Sequence, residues 1–230
     1  MEFLEGFREA IRLVVTLDPY VRDITMRTIL VSGTATLLAM LVGVPAGYAL
    51  ARTRFRGRTV PHWGLVNTGM GMPPVVVGLV VFLLLVRNGP FGDYELIYTR
   101  EAMVIAQFII ALPLVVGFTA ASIQSLPPQL ADLLAVLGAG RLRSLLVLAR
   151  EARLGLLAAV MAGFGAVVSE VGASMQVGGN IDGDTRVLTT AMVLETSRGA
   201  NERAIALGII LLAMALAVNL VLTLAQQRGR

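Results

Sequence analysis

The sequence predicts an all-α, polytopic membrane protein, and three features carry that reading. Of the 230 residues 56% are hydrophobic and only 15% charged, where soluble domains hold about a quarter charged. The apolar residues gather in runs long enough to cross a hydrocarbon core of about 30 Å at about 1.5 Å per residue. The basic residues cluster at the ends of those runs. No polar stretch is long enough to bury a core of its own, so residues 1–230 read as a single transmembrane domain.

The first element is an amphipathic segment, residues 1–22. Phe3, Phe7, Ala10, Ile11 and Val14 share one helical face, with Glu5, Arg8, Glu9 and Arg12 mostly opposite. Glu2, Glu5 and Glu9 interrupt the start and no small-residue cleavage site follows, which argues against a secretory signal. The segment reads as a helix lying in the interface and ending near Asp18-Pro19, with anchoring and docking both open as its job.

Five spans follow, at about residues 24–51, 64–86, 102–123, 154–171 and 204–225. Gly43 and Gly47 in the first make a small-x-x-x-small pair, and Gly165, Ser169 and Ala173 stack on one face of the fourth. Such faces let backbones approach where lipid offers no hydrophobic drive between helices. Pro73-Pro74 in the second span and Pro113 in the third each remove a backbone hydrogen bond and are expected to kink their helices. Broken helices of this kind line pathways or simply pack. The spans carry almost no charge. Glu170 stands out, near the end of the fourth, where it either faces a cavity or partner or reaches interfacial water.

Orientation follows from arginine. "ARTRFRGR" (Arg52, Arg54, Arg56, Arg58), the connector over residues 126–153, and Arg228 with Arg230 fall on one side of a five-span chain, holding ten arginines against Asp132 and Glu151. This places them in the cytoplasm and the N-terminus outside, together with the 87–101 loop and an outer loop over residues 172–203. Tyr94, Tyr98, Trp63 and His62 fit interfacial belts. The connector keeps leucines and valines at helical spacing between Arg141, Arg143, Arg150 and Arg153. A greasy helix there either lies flat on lipid or inserts into a groove on a soluble partner, and composition does not choose.

Absences exclude whole classes of chemistry. There is no lysine, so no P-loop and no Schiff base. There is no cysteine and His62 is the single histidine, which leaves only carboxylates and neutral oxygens for a metal and no Cys–His or Ser–His–Asp site with an obvious base; no metal site is assigned. The net charge of +4 sits at span ends without interleaved aromatics, so no nucleic acid is expected.

The run Asp132-Leu-Leu-Ala-Val-Leu-Gly138-Ala-Gly-Arg141 resembles the EAA loop of ABC-transporter permeases, with Asp132 at the acid position, Gly138 at the glycine and Val147 at a later apolar position. Leu133 and Leu134 stand where that pattern has alanines, and Arg150 where it has proline. Over residues 24–226 the chain resembles the tungstate branch of the molybdate/tungstate/sulfate permeases, most specifically in "EVGA…VGGNI…TRVLTTA". The resemblance implies a binding-protein-dependent ABC permease fold in the cell (inner) membrane. It also implies a homodimer of this chain, two ATP-binding cassette subunits inside that bind the ATP and Mg, and a solute-binding protein outside. In such a permease the loop forms a coupling helix seated in an ATPase cleft. The coupling candidates are then Asp132, Leu133, Leu134, Leu137, Gly138, Ala139 and Arg141.

Glu170, Ser174, Asn180 and Arg186 are candidates for the substrate pathway or a binding-protein contact. Gly138 should end one short helix and let the chain turn into the next. Arg186 offers several donors to an oxyanion; the plain alternative is a loop arginine paired with Asp182 or Asp184. Glu195 and Thr196 are placed to hold the returning segment. An ATP-driven importer of an oxyanion, tungstate first, is expected, with molybdate or sulfate as the alternative within the class and a self-sufficient channel or ion-driven carrier as the rival from another class.

Overall fold

A computed structural model describes residues 2–16, 18–52 and 59–227. Arg54, Arg56, Arg58, Arg228 and Arg230 lie outside the described residues, as do the side chains of Phe3 and His62. The described chain is helical throughout: α1 (Glu2–Val15), α2 (Pro19–Arg52), α3 (Thr59–Met70), α4 (Pro74–Leu85), α5 (Arg100–Gln124), α6 (Pro128–Val136), α7 (Arg141–Glu151), α8 (Arg153–Val168), α9 (Gly172–Gly178), α10 (Leu188–Ser197) and α11 (Asn201–Gln227). Three helices, α2, α5 and α11, are long and apolar enough to cross a membrane. The bent pairs α3–α4 and α8–α9 raise the number to five if each counts as one span.

Asp18-Pro19 opens α2 instead of merely closing α1. Proline suits a first helical position because its missing N–H has no partner there anyway, and the Asp18 carboxylate accepts the Val21 amide at 3.0 Å, a side-chain cap. From that start α2 runs 34 residues, about 51 Å at about 1.5 Å per residue, which exceeds the hydrocarbon core. The α1 helix turns Gly6 and Ala10 inward, with Gly6 against Ile205 of α11, and leaves Phe7, Ile11 and Val14 exposed. Its apolar face therefore divides between α11 and the surroundings.

The central contact is α2 on α5. Small residues recur along α2 at one face (Ala35, Ala39, Gly43, Gly47) and meet Ala106, Ala111, Val115 and Thr119 on the α5 side, all buried. A Cβ at Gly43 would sit 2.8 Å from Val115, and one at Gly47 would sit 2.7 Å from both Thr119 and the Val116 carbonyl oxygen. The close approach expected of this pair is thus made against α5. The stripe Gly165, Ser169, Ala173 behaves differently. The helix stops at Val168 and the chain bends by 60° into α9, so the three residues cannot share a face. A Cβ at Gly165 would meet nothing within 4 Å, Ser169 is exposed, and Ala173 packs on Gly78 of α4.

The prolines also act unequally. At Gly71-Met72-Pro73 the second apolar run folds back by 99° between α3 and α4, because consecutive prolines remove two donors and push the preceding residue out of helical conformation. Pro113 interrupts nothing: α5 continues through it, and Gly69 of α3 packs on its ring. The segment 172–203, expected as a loop, contains α9 and α10, joined by a compact turn over residues 179–187.

Two further apolar clusters finish the bundle at its ends. One joins Val21, Ile24, Phe164, Leu188, Leu207 and Ile210 near the start of α2. The other joins Tyr48, Ala51, Ala120, Ile123, Leu148 and Ala152, with Leu130, Leu134 and Leu145 packed against it. Because the Val116 carbonyl oxygen and the branched Thr119 side chain crowd Gly47, Gly47→Ala is expected to destabilise the detergent-solubilised protein by about 1–3 kcal/mol. Gly33→Ala, with nothing within 4 Å, is expected to stay within about 0.5 kcal/mol of wild type; thermal unfolding of both variants checks the pair.

Candidate functional site

The candidate residues separate to opposite ends of the bundle. At one end α6 and α7 form a hairpin. Gly138 stops α6 with a φ of 70°, a left-handed conformation that costs other residues about 1–2 kcal/mol. The Ala139 amide donates to the Leu134 carbonyl (2.9 Å) and the Gly138 amide to the Ala135 carbonyl (3.1 Å), the two bonds of a Schellman cap. The expected helix end is therefore present, with Ala139 half-buried and Arg141 opening α7.

Side chains on the hairpin divide by face. Leu134, Leu145 and Leu148 pack onto the ends of α2 and α5. Asp132, Leu133, Arg141, Leu142 and Leu146 are exposed, as are Val136 and Leu137, at 85% and 70%. Of the two leucines at the EAA alanine positions, Leu133 therefore faces outward and Leu134 faces the protein's own core. Helical periodicity separates adjacent residues by about 100°, so neighbours in sequence take different faces. The outcome is an unpartnered apolar ridge with arginines beside it, the form of an interaction surface.

At the other end lies the turn 179–187. Gly179, Asn180 and Gly183 have positive φ (69°, 52° and 75°). Thr185, fully buried, fills the turn: its hydroxyl donates to the Gly178 carbonyl and accepts the Ile181 amide at 2.9 Å. Arg186 pairs with Asp182 at 3.1 Å and donates to the Asn180 carbonyl at 3.3 Å. Asp184 pairs with Arg100 of α5, also at 3.1 Å. The simpler expectation for Arg186, a loop ion pair, is the one present here. Asn180 donates weakly to the Thr190 carbonyl (3.4 Å).

Glu170 and Ser174 sit apart from that turn, at the α8–α9 break. The Glu170 carboxylate accepts the Ala173 amide at 2.9 Å, and its carbonyl accepts the Thr189 hydroxyl at 3.1 Å. Ending a helix inside an apolar region orphans backbone donors, and this carboxylate satisfies one. Ser174 is fully buried and accepts the Gln107 side-chain amide at 3.2 Å. At the end of α10, Glu195 pairs with Arg198 (3.2 Å) and its carbonyl accepts the Ala200 amide (2.9 Å), which turns the chain into α11, while the Thr196 carbonyl accepts the Gly199 amide (3.0 Å) and its hydroxyl bonds back to Met192.

Sequence reading passed over Arg27. It lies within the first apolar run, yet only 3% of it is exposed. Its guanidinium pairs with Asp23 and donates to the carbonyls of Arg186 (2.7 Å) and Gly183 (3.0 Å). The available signal was an arginine inside a span with an aspartate four residues before it, since intramembrane charge needs a partner.

A cavity of about 310 Å³ opens at the α3–α4 break, lined by Gly69, Met70, Met72, Pro73, Ile110 and Ala166. Among the described residues no group of three or more His, Asp or Glu side chains converges on a metal-sized site.

These features define a polytopic helical membrane protein: broken helices around a small cavity, a buried polar clasp at one end, and an exposed greasy hairpin at the other. The chain belongs to the family described as "Binding-protein-dependent transport system inner membrane component", which matches residues 43–230. It is 42% identical over 205 residues to a probable anion ABC transporter permease protein of Haloferax volcanii, covering 87% of this chain and 88% of that one. It is 40% identical over 228 residues to the tungstate uptake system permease protein TupB of Peptoclostridium acidaminophilum, covering 99% and 100%. Its fold is similar to a chain of the MetNI methionine ABC transporter, with a TM-score of 0.66, 18% identity and coverage of 91% and 93%. The protein is thus a multi-pass transport permease subunit of the inner membrane.

If Glu170 acts as the cap of α9, Glu170→Ala is expected to lower stability by about 0.5–2 kcal/mol. It should also speed hydrogen exchange at the Ala173 amide, read by mass spectrometry, while α5 amides stay protected.

Proposed function

We propose that this chain is the membrane-spanning subunit of an ATP-driven importer for an oxyanion, tungstate first. It works as a homodimer with two ATP-binding cassette subunits against the α6–α7 hairpin and a solute-binding protein at the end carrying the 179–187 turn. The observation that carries the reading is end-to-end similarity to a tungstate permease, 40% identity over 228 residues, in a chain whose α6–α7 ridge has no partner of its own. The N-terminus lies outside and the hairpin inside, as the arginine distribution of the sequence supports.

The mechanism follows from packing. ATP and Mg bind in the cassette subunits; this chain contributes no lysine to hold a phosphate. When those subunits approach each other, Leu133, Val136 and Leu137 carry the motion into α6. Leu134, Leu145 and Leu148 pass it to the ends of α2 and α5. The dimer then opens toward the loaded binding protein. Only a difference in binding between the two states drives such a shift, so the ridge must hold the cassette firmly enough to follow it. The break at Gly71–Pro73, with its cavity, lies along the pathway.

Molybdate or sulfate is the alternative cargo. It is favoured by the broader similarity to a molybdenum transport permease, ModB of Haemophilus influenzae, at 26% identity over 170 residues. Titrating the cognate binding protein with tungstate, molybdate and sulfate decides. A self-sufficient carrier is tested in liposomes. The chain alone should move no tungstate, and adding the cassette subunits, binding protein and ATP should start uptake; flux without nucleotide refutes the proposal. Leu133→Glu with Leu137→Glu, both exposed in the free chain, should leave membrane insertion intact and cut cassette copurification and uptake at least tenfold, about 1.4 kcal/mol or more of lost association.

A further inference from the structure

A buried arginine far from the cavity calls for an explanation that the transport reading does not supply. Arg27 is 3% exposed, but its partner Asp23 is 60% exposed. An Asp–Arg pair four residues apart on a helix satisfies itself at the surface and needs nothing more. Here the guanidinium instead reaches residues 156 and 159 positions away, donating to the Gly183 and Arg186 carbonyls. Arg100 of α5 grips the same turn, through the Asp184 carbonyl (2.8 Å) and carboxylate (3.1 Å). One turn is therefore held from both of the helices that form the central packed pair.

What the turn offers outward is specific as well. The arginines Arg27 and Arg186 lie beneath, 3% and 12% exposed, while their partners Asp23 and Asp182 lie on top, 60% and 66% exposed. Asp184 is 55% exposed and Ile181 43%. Asn180 enters the turn at a φ of 52°, a left-handed conformation that asparagine adopts readily in turns.

We propose that Arg27 is the positioning residue that fixes the 181–186 turn as a docking face for the solute-binding protein, presenting Ile181 with the three carboxylates in one arrangement. This rests on the importer reading. In that frame Arg27 acts through the turn: losing it lets the docking face wander without touching the pathway or the hairpin.

The test uses the full complex of permease and cassette subunits in nanodiscs, with ATP hydrolysis measured against increasing binding protein. Arg27→Gln keeps one amide donor pair and cannot span three acceptors. It is expected to raise the half-saturating concentration of binding protein at least tenfold while the maximal stimulated rate holds within twofold. Hydrogen exchange at residues 181–186 should rise in parallel, and Arg27→Lys should recover part of the shift. Gly183→Ala, which strains the turn at a φ of 75° and meets no neighbour within 4 Å, should give the same kind of shift and decides the matter if Arg27→Gln fails to accumulate in the membrane. A lower maximal rate at unchanged half-saturation overturns the positioning role, as does faster loop exchange with normal half-saturation. Absence of any stimulation with the wild-type complex takes down the importer reading itself, and this inference with it.

Discussion

The close approach of α2 to α5 is the constraint on which the other features depend. In lipid a leucine gains nothing by leaving hydrocarbon for a neighbouring helix, so association rests on van der Waals contact and on polar groups that pair. Gly43 and Gly47 admit Val115 and Thr119 to within distances that any side chain would forbid. The α2–α5 pair is the most extensive helix contact among the described residues. Both ends of the molecule join that pair, the hairpin through the cluster holding Leu134 and Leu148 and the 179–187 turn through Arg27 and Arg100.

This arrangement reconciles two demands that pull against each other. A transporter needs irregular backbone where a pathway runs, and an apolar surrounding penalises every unpaired N–H and C=O. The breaks are therefore confined and repaired locally. Proline removes donors at the α3–α4 reversal, and at the α8–α9 bend Glu170 supplies an acceptor to the orphaned Ala173 amide. Glycine supplies left-handed ends at Gly138, Gly179 and Gly199. The unbroken helices carry rigidity and the broken ones carry shape.

Charge is distributed by the same logic. Within the described residues Arg27 is deeply buried and bonded to Asp23 and to the Gly183 and Arg186 carbonyls, whereas Arg141 and Arg143 stand exposed on the hairpin beside Leu142 and Leu146. The first kind of arginine organises backbone; the second rims an exposed apolar ridge. The ridge Leu133, Val136, Leu137 is exposed, an apolar patch of the kind that marks contact with protein or membrane.

Much of this was legible in residue order. Hydropathy and the placement of arginine determined the membrane class, the periodicity of small residues marked Gly43 and Gly47, and Gly138 announced a helix end that the Schellman bonds now display. These are local properties, set by one residue and its neighbours within a turn or two. Tertiary structure alone decided that Glu170 caps a helix, that Gly165 and Ser169 share no face with Ala173, that Leu133 looks outward while Leu134 looks in, and which carbonyls Arg27 holds. The acceptors that bury Arg27 lie 156 and 159 residues away, and no pattern of period two or three and a half reaches that far. A side chain's partner across the bundle depends on how the whole chain packs, which composition and spacing do not encode one segment at a time.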